Sequence, residues 1–139
     1  MSGVPSWRDD YDRMHRWHAR LRESPTGVDY RLDDFHAFFV VCFHLKDWLQ
    51  ADPSIDKQIR DRVERFVEGN LWLRLVADLA NGSKHLQVDR KPRYDSPALL
   101  NKAQSEIIVT HGSHSYAALK VADRSVAQWD IFLEECGLL

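Results

Sequence analysis

The sequence predicts an all-α protein, a single helical bundle of about five helices with a small β insertion near residues 87–115. Three observations lead to this prediction. Apolar residues recur at steps of three and four over most of the chain, the helical period is lost between residues 87 and 115, and 139 residues fit one domain. We therefore expect residues 1–139 to form a single helical-bundle domain.

The first two predicted helices differ in how much of their surface is apolar. Ser6 can cap the first helix, which ends at the segment SPTG. Its apolar positions recur at steps of four and three and form one stripe: Trp7, Tyr11, Met14, His18 and Leu21. The second helix, from about Asp29 to Gln50, is apolar nearly all round, which is typical of the central member of a bundle.

Two shorter helices follow, each with a candidate capping residue. Ser54 can cap the third helix, and its expected buried face comprises Ile55, Ile59, Val63 and Phe66. Asn70 can cap the fourth helix, which begins at Leu71 and runs into ANGSKHL. Because an Asn-Gly pair often ends a helix, continuation through Gly82 stays open.

The helical period is lost between about Gln87 and Ser115. VDRKPRYDSP contains two prolines, and EIIVTHGSHS is typical of a β-strand followed by a turn. We expect one or two short strands in this segment. A last helix, from about Tyr116 to Cys136, ends at Gly137.

Composition and charge exclude several classes of protein. The formal net charge of −2 excludes a generally basic nucleic-acid binder, although a local basic patch is compatible with that balance. Two cysteines are too few for a disulfide framework, and the N-terminus lacks the apolar run of a signal peptide. No stretch approaches the ~20 apolar residues of a membrane span. We expect a reduced, cytoplasmic protein without membrane association.

Polar residues interrupt the apolar second helix at CFHLKDWLQ. Residues three and four apart share a helix face, so His44, Asp47 and Trp48 form one patch of candidate binding residues.

The segment VADLANGSKHL carries a second polar set. The same spacing rule places Asp78, Asn81 and His85 on one face if the fourth helix continues through Gly82, while Lys84 projects from a neighbouring face. Asp78 is a candidate binding residue, and the other three polar residues are candidates for catalysis.

The two polar sets converge in one partly buried pocket if the second and fourth helices are neighbours. A carboxylate beside each imidazole would fix its tautomer and suit proton transfer near neutral pH. Mutual hydrogen bonding would make the burial of such groups tolerable. The alternative is a buried polar network that only locks the helices in register.

Neither a metal nor an organic cofactor is predicted. HGSH, from His111 to His114, could join His85 in binding zinc, but no cysteine or carboxylate completes a recognisable ligand spacing. Cys42 lies in the most apolar segment, where a thiol is inert. We therefore expect no metal ligands and place Cys42 in the core.

The segments FFVVCFHLKDWL and ADLANGSKHL resemble a group of small bacterial all-α proteins that pair an H-L-x-D-W element with a D-x-x-N-x-x-K-H element. This group in turn resembles the HEPN superfamily of helical domains, and SVAQWDIFLEECGL is compatible with its last helix. The resemblance covers about residues 29–86. It implies a HEPN-like bundle, metal-independent ribonuclease activity in toxin, defence or RNA-processing systems, and a homodimer.

HEPN members pair an arginine with a histidine after about four to six intervening residues. Three such pairs occur, where chance alone gives roughly two: Arg8 with His15, Arg13 with His18, and Arg31 with His36. At the second polar element Asn81 takes the place of the arginine. There the resemblance implies that His85 acts as general acid or base on an RNA 2′-hydroxyl, while Lys84 stabilises the phosphorane charge.

We therefore expect an RNA-directed role, as ribonuclease or RNA-binding protein, in bacterial defence or stress. A non-catalytic module that binds RNA, a nucleotide or a protein partner explains the same residues. The surplus of aromatic residues, with five Trp and six Phe, additionally predicts a two-fold homodimer through exposed aromatic surface.

Overall fold

Five α-helices and three β-strands make up the part of the chain that the computed structural model describes, residues 6–23, 28–82, 97–103 and 106–139. In chain order they are α1 (Trp7–Glu23), α2 (Val28–Ala51), α3 (Lys57–Glu68), α4 (Leu71–Gly82), β1 (Leu99–Ala103), β2 (Glu106–His111), β3 (His114–Ala117) and α5 (Ala118–Glu135). The predicted helical bundle with a small β insertion is thus confirmed in its general form.

Helix α2 lies at the centre of the bundle, as its apolar sequence predicts. It packs against all four other helices and also contacts β1 and β2. The side chains that it buries come from much of its circumference: Phe35, Phe38, Phe39, Cys42, Leu45 and Leu49. A helix surrounded in this way has little surface left for solvated groups, and Asp33 and Asp47 are the exposed charged residues on its described part.

Two of the three predicted N-caps are confirmed, and one is wrong. The Ser6 hydroxyl accepts from the Asp9 amide at 3.4 Å, and the Asp9 carboxylate accepts from the Ser6 amide at 2.9 Å, so the two form a reciprocal cap. Helix α3 is capped by Asp56 instead of Ser54, because the Ser54 hydroxyl donates to Asp52 at 2.7 Å. Ile55 is consequently buried ahead of the helix.

Asn70 caps α4 through its side-chain oxygen, which accepts from the Leu73 amide at 3.2 Å. Its side-chain nitrogen donates to Gln128 of α5 at 2.8 Å, so one amide joins two helices. The described part of the helix runs to Gly82, and its continuation toward Lys84 and His85 lies outside the described residues.

The β insertion is a three-stranded antiparallel sheet in the order β1-β2-β3, larger than the one or two strands expected. Its second hairpin pairs His111 with His114 across a turn in which Gly112 has a φ of 60°. A left-handed conformation of this kind favours glycine, which explains the GS pair in HGSH. The first part of the predicted insertion, residues 87–96, lies outside the described residues.

The five Trp side chains are all buried or half-buried, as are the six Phe side chains. Within the described ranges the exposed large apolar side chains are aliphatic: Leu71, Leu99, Ile131 and Leu139. Most of the aromatic residues thus contribute to the core or pack against it, and the dimer through aromatic surface stays a prediction. None of the described helices has both the length and the apolar character needed to cross a membrane.

Candidate functional site

One flank of α1 carries a polar stripe that faces α5. Its side chains recur at steps of three and four: Arg8, Tyr11, His15, His18 and Arg22. Their partners are Asp123 and Asp130 of α5 and the backbone carbonyl of Leu138. Successive contacts run backwards along α5, so the two helices are antiparallel. We name the four α1 side chains that bind these aspartates, Tyr11, His15, His18 and Arg22, together with Asp123 and Asp130, the α1–α5 seam.

Asp130 binds two α1 side chains at one end of the seam. Its Oδ1 accepts from the Tyr11 hydroxyl at 2.7 Å and lies 3.3 Å from Nε2 of His15. Burial raises the pKa of Tyr11 well above its ordinary value, and the hydrogen bond to Asp130 raises it further. The Tyr11 and His15 rings are 4.6 Å apart between centroids, which restricts the orientation of the imidazole.

Asp123 binds the other histidine of the seam. Its Oδ1 lies 2.6 Å from Nε2 of His18 and accepts from Arg22 at 2.9 Å. Because the carboxylate is the acceptor for Arg22, the imidazole donates through Nε2, and Nδ1 carries the lone pair of the neutral ring. The tautomer of His18 is therefore set by its α5 partner.

The seam combines two imidazoles, which can transfer protons, with a guanidinium, which can bind an anionic substrate. His15 and His18 are one helical turn apart on the same flank, and their side chains are 37% and 15% exposed, so His15 is the more accessible to solvent. The Arg22 side chain is 57% exposed and holds a positive charge within reach of the same carboxylate. An acid–base pair of imidazoles with a nearby guanidinium can act on a phosphodiester.

The three candidate binding residues on α2 differ in their exposure to solvent. His44 is half-buried, with its ring 6.0 Å from that of Phe43, and Trp48 is half-buried against the core. Asp47 is exposed, and its carboxylate lies 3.5 Å from the Lys46 ammonium. Its negative charge contributes to raising the pKa of Asp10 on α1.

The residues predicted on α4 are only partly within the described chain. Asp78 is buried, and its Oδ2 accepts from the Ala98 amide at 3.4 Å, just before β1. Asn81 is half-buried in the last turn of the helix. Lys84 and His85 lie outside the described residues. Helices α2 and α4 are in contact, as the predicted pocket requires, while convergence of the two polar sets stays a prediction.

A further group of polar side chains, separate from the seam and from the two predicted polar sets, is enclosed between α1, α2 and α5. Asp10 Oδ2 and the Trp129 indole nitrogen are both buried, and neither has a hydrogen-bond partner among the residues described. The Cys42 thiol lies near both groups, since each of them influences its pKa. Burial raises the pKa of Cys42 above its ordinary range, so the thiol stays protonated, and both cysteines are free.

Within the described ranges no three His, Cys, Asp or Glu side chains are arranged to hold a metal ion. His111 and His114 face each other across the hairpin, and His85, the third residue considered for zinc, lies outside those ranges.

Sequence reasoning missed the α1–α5 seam because it assigned Tyr11 and His18 to an apolar stripe. The buried stripe is instead Trp7, Met14 and Leu21, with Asp10 beside it. A signal for the seam was present, since polar residues repeat along α1 with the same period and Asp123 and Asp130 lie seven residues apart on α5. Pairing them required knowledge of which helices are neighbours.

Comparison of the chain with protein-family models, curated proteins and solved structures finds no match.

Proposed function

We propose that the protein is a HEPN-like domain with an RNA-directed role, cleaving or binding RNA in bacterial defence or stress. The observation that carries the proposal is the pair of imidazole–carboxylate contacts in the α1–α5 seam, with Arg22 beside one of them. The helical bundle is compatible with the resemblance of the two sequence elements to HEPN proteins.

Cleavage at the seam would proceed through the RNA's own 2′-hydroxyl. One imidazole removes the 2′-hydroxyl proton, and the 2′-oxygen attacks phosphorus, forming a new P–O bond. The second imidazole, in its protonated form, donates to the departing 5′-oxygen as the original P–O bond breaks. Arg22 offsets the negative charge that develops on the phosphorane. The products are a 2′,3′-cyclic phosphate and a 5′-hydroxyl end.

In this scheme His15 is the stronger candidate for direct contact with RNA, because it is the more exposed of the two imidazoles. Asp123 and Asp130 act as positioning residues, which orient the rings from α5. The competing location for the same chemistry is the predicted pocket between α2 and α4. Its catalytic residues would be His85, Lys84 and Asn81. Its binding residues would be His44, Asp47, Trp48 and Asp78.

The alternative function is a non-catalytic module for a protein partner or small ligand. It is favoured by one observation: each seam aspartate binds two α1 side chains across a helix interface, which is also how a polar network fixes helix register. In that case the seam stabilises the bundle and performs no chemistry.

Cleavage assays on purified protein and total RNA test the proposal. We expect the unmutated protein to yield 2′,3′-cyclic phosphate ends without added metal, and His15→Ala to reduce the rate by about 10²–10⁴-fold. His114→Ala is the matched control, since this histidine is exposed at the start of β3. His18→Ala and His85→Ala are assayed in parallel, with thermal unfolding measured on each preparation.

The pattern of losses decides between the possibilities. A loss confined to His85→Ala would move the chemistry to the second polar set. An absence of both cleavage and RNA binding, together with a lowered melting temperature for His18→Ala, would contradict the RNA-directed role and favour the structural alternative.

A further inference from the structure

A cleft lies at the corner between the end of α2 and the start of α3, away from the residues of the α1–α5 seam. It has a volume of about 380 Å³ and is lined by Gln50, Lys57, Arg60 and Asp61. This volume falls in the range of small-molecule sites, which span roughly 300–1,000 Å³. The lining residues are all polar, in contrast to the apolar faces that α2 and α3 present to the core.

Arg60 is the unusual group in this cleft. Its side chain is half-buried, and its Nε is shielded from solvent yet has no hydrogen-bond partner among the described residues. A shielded N–H without an acceptor is costly, and a guanidinium stays charged at every physiological pH. Because Arg60 lines the cleft, its guanidinium brings to it a positive charge that no carboxylate among the described residues offsets through an ion pair.

The neighbouring carboxylates are engaged elsewhere. Asp61 accepts from the Lys57 ammonium at 2.7 Å, an ion pair on the exposed face of α3. Glu64 accepts from both Lys46 and Gln50, each at 3.3 Å. Within the described ranges no carboxylate forms an ion pair with Arg60. The charges of Lys57 and Asp61 offset each other, so the lining has a net charge of one positive unit, contributed by Arg60.

We propose that this cleft binds a small molecule that carries a phosphate monoester, about the size of a nucleoside monophosphate. A phosphate presents several oxygen acceptors to the planar fork of a guanidinium and can engage its two terminal nitrogens. The rest of the ligand can contact Gln50 and Asp61 through hydroxyl or amine groups, while the Lys57 ammonium stays paired with Asp61. The site does not depend on RNA cleavage at the seam.

Titration of the full chain with inorganic phosphate, adenosine 5′-monophosphate and adenosine tests the proposal. We expect the monophosphate to bind more tightly than adenosine and to shift the ¹⁵Nε resonance of Arg60. Arg60→Gln should weaken binding of the monophosphate by about tenfold or more, because a charge-assisted pair is lost. Lys120→Gln, which removes an exposed cation from α5, is the control and should leave the affinity unchanged.

Arg60→Lys provides a second variant in case Arg60→Gln does not fold. It keeps the charge and removes the fork, so affinity should fall by an intermediate factor while the melting temperature is retained. The proposal is overturned if the monophosphate fails to bind at about 10 mM. Equal binding of adenosine, or equal weakening by Lys120→Gln and Arg60→Gln, also overturns it, since either result means that the cleft does not recognise phosphate.

Discussion

At the scale of single residues, Asp10 is a carboxyl group whose buried position disfavours its charged form. Burial raises its pKa from the ordinary value of 3.8 to about 6, the Arg13 charge lowers it, and the Asp47 charge raises it again. Arg13 lies 3.7 Å away and is half-exposed, so its compensation is incomplete. The folded protein therefore binds this proton more tightly than the unfolded chain does.

The sign of the resulting pH dependence follows from linkage. The contribution of Asp10 to stability is fully present below its unfolded-state pKa and is lost as the pH rises through about 6. Asp52 behaves in the opposite way. Although burial acts against it, hydrogen bonds from the Ser54 hydroxyl and from the Trp7 and Ser54 amides lower its pKa, so its contribution is lost as the solution becomes acidic.

We expect Asp10→Asn to raise the free energy of unfolding by roughly 1–3 kcal/mol at about pH 8, because the buried charge is removed. At about pH 4 the variant's free energy of unfolding should be close to that of the unmutated protein, since Asp10 is then protonated in the folded protein. Urea unfolding across this pH range measures the difference. Asp12→Asn, on the exposed face of the same helix, is the control. Parallel pH profiles for the Asp10→Asn variant and the unmutated protein would contradict the assignment.

At the scale of secondary-structure elements, Asn70 joins the start of α4 to α5 through the two ends of its amide. The oxygen caps the helix, and the nitrogen holds Gln128. These two functions are separable, because an aspartate retains the capping oxygen and loses the donor.

We predict that Asn70→Ala lowers the free energy of unfolding by about 1–2 kcal/mol, from loss of the cap and of one side-chain hydrogen bond. Asn70→Asp should lose less, because capping is preserved. Gln128→Ala, which removes only the α5 partner, reports the contribution of the second contact. Denaturant unfolding of the three variants measures these losses, and equal stability of Asn70→Ala and the unmutated protein would show that the cap contributes nothing.

At the scale of the whole molecule, the property to predict is the association state, that is, whether the protein is a monomer or a homodimer. The expectation of a homodimer depends mainly on the resemblance to HEPN proteins, because no Trp, Phe or Tyr side chain is exposed in the part of the chain that the structure describes. Four exposed aliphatic side chains are the apolar groups that the described surface offers to a second copy: Leu71, Leu99, Ile131 and Leu139.

We predict a two-fold homodimer at micromolar protein, and sedimentation equilibrium will give its mass directly. If an aliphatic surface forms the contact, Leu99→Lys, which places a charge on β1, should shift the equilibrium toward monomer. Leu71→Lys, at the start of α4, is the comparison variant. A monomeric mass for the unmutated protein would remove this part of the HEPN resemblance.

The sequence by itself determined most of the local structure. The period of its apolar residues located five helices and identified α2 as the central one, because a helix apolar nearly all round has no other stable position. Ser6 and Asn70 were recognised as caps, and the HGSH turn was placed correctly, since capping and left-handed glycine turns depend on residues close in the chain. The error at Ser54 was also local, because Asp52 competed for the serine hydroxyl.

Only the tertiary structure decided which polar groups meet. His18 lies more than 100 positions before Asp123 in the chain, and no periodicity specifies that α1 and α5 are neighbours or which flank of α1 faces its partner. The same dependence on helix rotation buried Asp10 near Cys42 and Trp129 and left Arg60 without a carboxylate partner among the described residues. Local patterns fix the faces of each helix, whereas contacts between distant residues depend on how all the faces pack together, a property of the whole bundle.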